Sequence, residues 1–316
     1  MILVTGAKGQ VGSDLVAALR ARYGAQQVVE TDLQPRTQTD GQALPYEVLD
    51  VRDRAQLETL LDRYQVDTIY HLAGVLSARG EKNPDLCWDV NVNGLRHMLD
   101  LAHERGLKVF WPSSIAVFGS STPKNRTPQD TVLAPATMYG ISKVSGELLC
   151  KYYADRYGVD VRSLRLPGII SYSAPPGGGT TDYAVEIFHE ALRQDAYTSF
   201  VGPQTRLPMM YMPDTIRAIL DLMHAAPEEV KVRTSYNLTA VSFSAEELVK
   251  EIRKHRPGFT CRYEPDFRQS IADSWPNDVD DSRAREDWGW QPAYGLPEIV
   301  ADMLEKLAAV VAQAER

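Results

Sequence analysis

Ile2-Leu3-Val4-Thr5-Gly6-Ala7-Lys8-Gly9-Gln10-Val11-Gly12 opens the chain, and its reading decides the fold. Ile2 to Val4 is a short apolar run suited to a buried parallel strand. Glycines follow at 6, 9 and 12, and residues 14–21 read as a helix. Glycine permits a tight turn and close backbone approach, and a helix N-terminus attracts a pyrophosphate. Residues 27–31 read as a second strand, and Asp32 ends it, twenty residues after the last glycine. A carboxylate there accepts both ribose hydroxyls and repels a 2′-phosphate, so the expected dinucleotide is NAD rather than NADP. Glu30 is a competing acid inside the strand, and Arg36 works against the preference.

Downstream, strand and helix alternate. Strands are expected at 46–49, 66–71, 107–111 and 160–166, and helices at 54–64, 84–105 and 138–157. Such alternation means a parallel sheet covered on both faces, an α/β doubly wound architecture. Ligands then gather beyond the carboxyl ends of the strands, where Asp50, Ala73, Ser77, Ser113, Ser114, Pro167 and Gly168 fall. After residue 170 the pattern loosens. The Pro/Gly-rich stretch Ala174-Pro175-Pro176-Gly177-Gly178-Gly179 precedes a helix over about 182–193. Further helices are expected near 213–225, 244–255 and 296–313, with strands near 197–201 and 234–238. This divides the chain into a dinucleotide domain over 1–170, to which about 208–240 returns, and a smaller, mostly C-terminal α+β domain over 171–316.

Tyr139 and Lys143 lie four residues apart, on one face of a helix. A neighbouring ammonium favours the phenolate, so Lys143 is expected to lower the tyrosine's pKa and make it a general base. With a dinucleotide site, this suggests hydride chemistry at an alcohol carbon.

The 316 residues carry a net charge of −8, which argues against nucleic acid and anionic membranes as partners. No apolar stretch is long enough to span a bilayer. The three cysteines, Cys87, Cys150 and Cys261, are far apart, and no Cys or His spacing suits a metal. Free thiols and a start directly on the first strand point to the cytoplasm. Cys87 and Cys150 are expected to pack, His71 to be structural, and Trp275, Trp288 and Trp290 to pack the smaller domain.

These motifs resemble the extended short-chain dehydrogenase/reductase superfamily, which includes nucleotide-sugar epimerases. The resemblance rests on Thr5-Gly6-Ala7 with Gly9 and Gly12, His71-Leu72-Ala73-Gly74, Asn91-Val92-Asn93-Gly94, Ser113 to Gly119, Tyr139 with Lys143, Pro167-Gly168, and Asp281-Ser282-Arg283-Ala284 with Gly289-Trp290 and Pro292. It implies a Rossmann-type sheet that holds NAD with Gly6, Gly9, Gln10, Val11, Asp32, Leu72, Ala73, Tyr139, Lys143, Pro167 and Ile169. Asp50 and Val51 are implied at the adenine. Ser114, Tyr139 and Lys143 are the implied catalytic set, and the two long helices match those that pair in homodimers of the superfamily.

A narrower likeness is to the NAD-dependent L-threonine 3-dehydrogenases, which are distinct from zinc enzymes of the same activity. It rests on Ser171-Tyr172, Pro176 to Phe188, and Leu207 to Asp214. The implied reaction takes L-threonine and NAD to 2-amino-3-ketobutyrate and NADH. The glycines and Gly179-Thr180-Thr181 then suit a substrate carboxylate, Ser77 is a candidate for the ammonium, and Asp182 is expected to cap the helix. Three alternatives stand. A nucleotide-sugar epimerase or dehydratase would need a cation such as Arg206 for a diphosphate. Another 3-hydroxy amino acid could be the substrate. A non-catalytic NAD-binding regulator is disfavoured by the intact serine, tyrosine and lysine.

Overall fold

The computed structural model describes residues 1–35, 44–173 and 177–314. Seven strands form one sheet: β1 (Ile2–Thr5), β2 (Val28–Asp32), β3 (Tyr46–Val48), β4 (Thr68–His71), β5 (Lys108–Ser114), β6 (Val161–Leu166) and, much later, β10 (Tyr236–Asn237). Their order is β10-β6-β5-β4-β1-β2-β3, and every pairing is parallel. The chain leaves β1 in both directions, so β1 and β4 flank a topological switch point, where a crevice opens beyond the strand ends. Thr5 and His71 are register partners there.

Between these strands run α1 (Gln10–Tyr23), α2 (Arg54–Tyr64), α3 (Ser77–Lys82), α4 (Pro84–Trp88), α5 (Gly94–Arg105) and α6 (Met138–Tyr157). Leu15, Val16 and Leu19 of α1 pack on one face with α8 (Met212–His224); Leu57, Leu61, Leu95, Met98 and Leu99 fill the other. The sheet is therefore doubly wound.

The helix expected over 84–105 is interrupted. Asp89–Asn93 forms one wider π turn between α4 and α5. There Asn91 turns inward, exchanges hydrogen bonds with both the N–H and C=O of Val75, and donates to Ser142 Oγ at 3.0 Å. A π turn at such a point trades helix regularity for side-chain placement. The first helix also begins earlier than expected, at Gln10, which puts Gly12 inside its first turn. A Cβ on Gly12 would lie 2.2 Å from the Gly6 carbonyl, so only glycine fits.

The later chain adds β7 (Gly168–Ile170), β9 (Arg206–Tyr211) and β11 (Val241–Ser244) as a three-stranded sheet, and β8 (Ala196–Ser199) with β12 (Thr260–Tyr263) as a pair. Around them pack α7 (Tyr183–Gln194), α9 (Ala245–His255) and α12 (Leu296–Ala314), with the short α10 (Phe267–Ala272). From the later chain, α8 covers β6 and β10 extends the main sheet. Trp288 and Trp290, by contrast, pack with Ile2, Val4 and Leu15 on the main sheet, because α11 (Ser282–Trp288) turns back to it. Cys87, Cys150 and His71 are fully buried. Among the described residues no helix is long and apolar enough to cross a membrane.

Candidate active site

A cleft opens at the carboxyl ends of β1, β4, β5 and β6. It is lined by Gly6, Gly9, Gln10, Val11, Leu72, Ser77, Ser114, Tyr139, Lys143, Pro167, Ile169, Gly179, Thr180 and Thr181, all expected from the sequence, and by Trp275, which was not. A tryptophan more than ninety residues further along the chain than any of these carries no local signal of this place.

The catalytic candidates are set by how closely α6 lies on β5. A Cβ on Gly146 would stand 2.3 Å from the Trp111 ring, so the glycine permits the approach. Thr137 caps α6 by accepting from the Gly140 N–H at 3.1 Å. The approach brings Lys143 Nζ to 2.6 Å from the Pro112 carbonyl, 4.5 Å from the Trp111 ring centroid and 5.5 Å from that of Tyr139. Ser142 donates to the Tyr139 carbonyl, which joins the Asn91 network to this turn. Of the paired serines, Ser113 donates to Glu147 at 2.6 Å, whereas Ser114 Oγ accepts from the Ala116 N–H at 3.2 Å and lines the cleft with Tyr139.

The expected effect of Lys143 on Tyr139 is not what this cleft produces. Burial dominates and pushes the phenol up to about 12, against the opposing influence of the Ser114 hydroxyl. Burial likewise pulls Lys143 down to about 8. Both groups move toward their neutral forms because the site withholds water from either charge. His71 is held neutral by burial, down to about 3, with Nδ1 bonded to Thr5 Oγ1 at 2.8 Å, in keeping with a structural role.

The glycine loop fits a dinucleotide. Gly6 has φ +66° and packs on the Ala73 backbone, and no side chain caps the N-terminus of α1, where Gly9, Gln10 and Val11 face the cleft. Asp32 stands at the end of β2, its carboxylate accepting from the Lys8 N–H at 3.1 Å and the Gln34 N–H at 3.3 Å. Glu30 is paired with Arg20. Arg36, like Ala174-Pro175-Pro176, lies outside the described residues. Asp50 and Val51 do not line the cleft: Arg52 grips Asp50 at 2.6 Å and holds its carboxyl below the usual range, and Val51 is buried beneath Gly94.

The substrate segment departs from expectation in one respect. Asp182 begins α7, but its side chain makes no bond to that helix. It turns back and accepts from the Gly178 and Gly179 N–H groups at 2.7 and 2.8 Å. The amides expected for a substrate carboxylate are therefore filled by the chain's own. Thr180 is 1% exposed, and its hydroxyl has no protein partner. Arg206, the cation a sugar diphosphate would need, is committed to Glu247 at 2.6 Å and to the Ser242 carbonyl.

Residues 2–239 match the model of the NAD-dependent epimerase/dehydratase family. The chain belongs to that family, within the extended short-chain dehydrogenase/reductase superfamily, and is an NAD-dependent oxidoreductase. An epimerase/dehydratase of Staphylococcus haemolyticus, described as uncharacterised, is 48% identical over 97% of both chains. A holo-form structure of a GalE-like L-threonine dehydrogenase from Cupriavidus necator is 50% identical, with TM-score 0.94 over 97% of this chain and 99% of that one. A monomeric L-threonine 3-dehydrogenase from a metagenome is 47% identical, with TM-score 0.94 over 98% and 99%. NAD(H) is the cofactor.

Proposed function

We propose that the protein oxidises L-threonine at its 3-hydroxyl, transferring hydride to NAD and giving 2-amino-3-ketobutyrate and NADH. The observation that carries this is that Ser114, Tyr139 and Lys143 line one cleft together with Thr180, whose hydroxyl has no protein partner. Likeness over nearly the whole chain to structures of L-threonine dehydrogenases supports the choice of substrate.

Gly6 to Val11, Asp32, Leu72, Pro167 and Ile169 would hold NAD, which when bound would supply the hydride acceptor. Tyr139 takes the hydroxyl proton at its phenolic oxygen. Ser114 bonds the same substrate oxygen and fixes its direction. Lys143, held by the Pro112 carbonyl beside the Tyr139 ring, would bind the nicotinamide ribose. The Thr180 and Thr181 hydroxyls donate to the substrate carboxylate. The test is NADH formation at 340 nm with L-threonine and NAD, set against NADP, L-serine, L-allo-threonine and a UDP-sugar. Turnover of the UDP-sugar and not of threonine would overturn the reading.

Two expected results arise from the site itself. Tyr139 must lose its own proton before it can take the substrate's, and burial holds that proton up to about 12. Hence log kcat/KM rises with unit slope across pH 6 to 9, with no plateau in that range; a profile flat from pH 6 to 9 contradicts the assignment. Thr180→Val removes a hydroxyl that has no partner in the fold, so thermal stability holds while KM for L-threonine rises roughly tenfold. An unchanged KM would place the carboxylate elsewhere.

The division into a dinucleotide domain over 1–170, with 208–240 returning to it, and a substrate domain over the remainder is part of the same proposal. So is a homodimer. Leu148 and Tyr152 on α6 are 59% and 52% exposed, an apolar surface of the kind a second copy covers. Sedimentation at micromolar concentration tests it.

A further inference from the structure

Asp182 and Lys143 are the only charged side chains among the described residues lining the cleft. Lys143 is taken up by Pro112 and by the ring of Tyr139. Asp182 is held differently. Its Oδ2 takes the Gly178 and Gly179 N–H groups, and no protein cation bonds it. Arg268 acts on it only through space, being forked onto Asp266 and stacked on Phe200. A carboxylate has about four lone-pair sites, so two amides leave acceptor capacity to spare. A partly desolvated anion without a counter-ion favours a cation from outside.

An independent feature beside it also points to a ligand. Thr180, two residues before Asp182, presents a buried hydroxyl that bonds nothing in the protein. The intervening Thr181 presses against Gly168, where a Cβ would lie 2.8 Å from its methyl, so the run abuts the Pro167-Gly168 floor of the cleft. The segment thus offers an anion and a free hydroxyl side by side. The amides of Gly178 and Gly179 cannot also take a substrate carboxylate while Asp182 fills them.

We propose that Asp182 is the acceptor for the substrate's ammonium, so that the glycine-threonine run selects a zwitterion by binding its cation at Asp182 and its carboxylate at the Thr180 hydroxyl. This rests on the reading of the substrate as a 3-hydroxy amino acid. It gives the cleft a fixed polarity. An acid with the same hydroxyl and carboxylate but no amine lacks the attraction and leaves the half-buried Asp182 without a counter-ion.

Asp182→Asn separates binding from architecture. The amide oxygen of asparagine can still accept from Gly178 and Gly179, so the loop keeps its clasp while the negative charge is gone. Two quantities are read in wild type and variant: KM for L-threonine, and Ki of 3-hydroxybutyrate as a competitive inhibitor of threonine oxidation. The expected result is KM raised about 10- to 100-fold, with Ki flat or lower. NADH affinity, from fluorescence titration, stays within about twofold. An unchanged KM overturns the proposal. So does a parallel rise in KM and Ki, which would make Asp182 a clasp for the loop and nothing more. Should wild type itself fail to oxidise L-threonine, the substrate reading falls instead, and the two failures are distinct.

Discussion

Tyr139→Phe lowers kcat for NAD-dependent oxidation by on the order of 10³-fold and leaves NADH affinity unchanged. The phenylalanine ring refills the same space beside Lys143 and the Cβ remains packed near Gly80, so the fold has no reason to shift. What is lost is the oxygen proposed to take the substrate proton. Ser114 remains, but a hydroxyl that orients the substrate oxygen is no substitute for a base in that position. A 10³-fold loss corresponds to about 4 kcal/mol of transition-state stabilisation. Steady-state NADH formation gives kcat, and fluorescence titration gives NADH affinity. A variant within tenfold of wild type would remove Tyr139 from the chemistry. Lys143 is a poorer target, since its ammonium also secures the Pro112 carbonyl and covers the Trp111 ring.

Glu147→Ala lowers stability by about 3–5 kcal/mol. Glu147 sits one turn beyond Lys143, and its side chain is 1% exposed against 4% for Arg165, which grips it through two bonds of 2.9 and 2.7 Å. Arg165 also donates to the Gln129 carbonyl and to Asn237 Oδ1. Cutting Glu147 back leaves a buried guanidinium uncompensated and takes the acceptor from Ser113. The mid-point of thermal unfolding should fall by roughly 10 °C. Lys151→Ala, which removes the exposed pair with Asp155 on the same helix, costs no more than about 0.5 kcal/mol. A loss below about 1 kcal/mol in Glu147→Ala would mean that the pair does not fasten α6.

What the sequence revealed was local. Apolar runs at β1, β4 and β5, glycines at 6, 9 and 12, and the four-residue step from Tyr139 to Lys143 each fit inside one or two elements, so their patterns survive without knowledge of the fold. The strands of the two small sheets were mostly missed because β7, β9, β11 and β12 have only three to six residues and pair across long sequence separations. The π turn at Asp89–Asn93 depends on where Asn91 finds Val75 and Ser142, which no helical period encodes. Tyr139's pKa went the other way because spacing along a helix reports neighbours on that helix, while burial is decided by everything else. Asp182 shows the same limit. Its position before α7 suggested a cap, but Gly178 and Gly179 offered closer donors.

Asn237, which accepts from Arg165, also donates to the carbonyls of Thr127 and Asp280. The strand that closes the main sheet and the residue that completes the clamp behind α6 therefore emerge from the ribosome some ninety residues after Lys143 itself. Until then Glu147 and Arg165 meet without their last partners. Synthesis arrested before residue 236 should yield a nascent chain whose glycine loop and first strands are made but whose catalytic helix is not locked, and which proteases cut far faster than the finished protein.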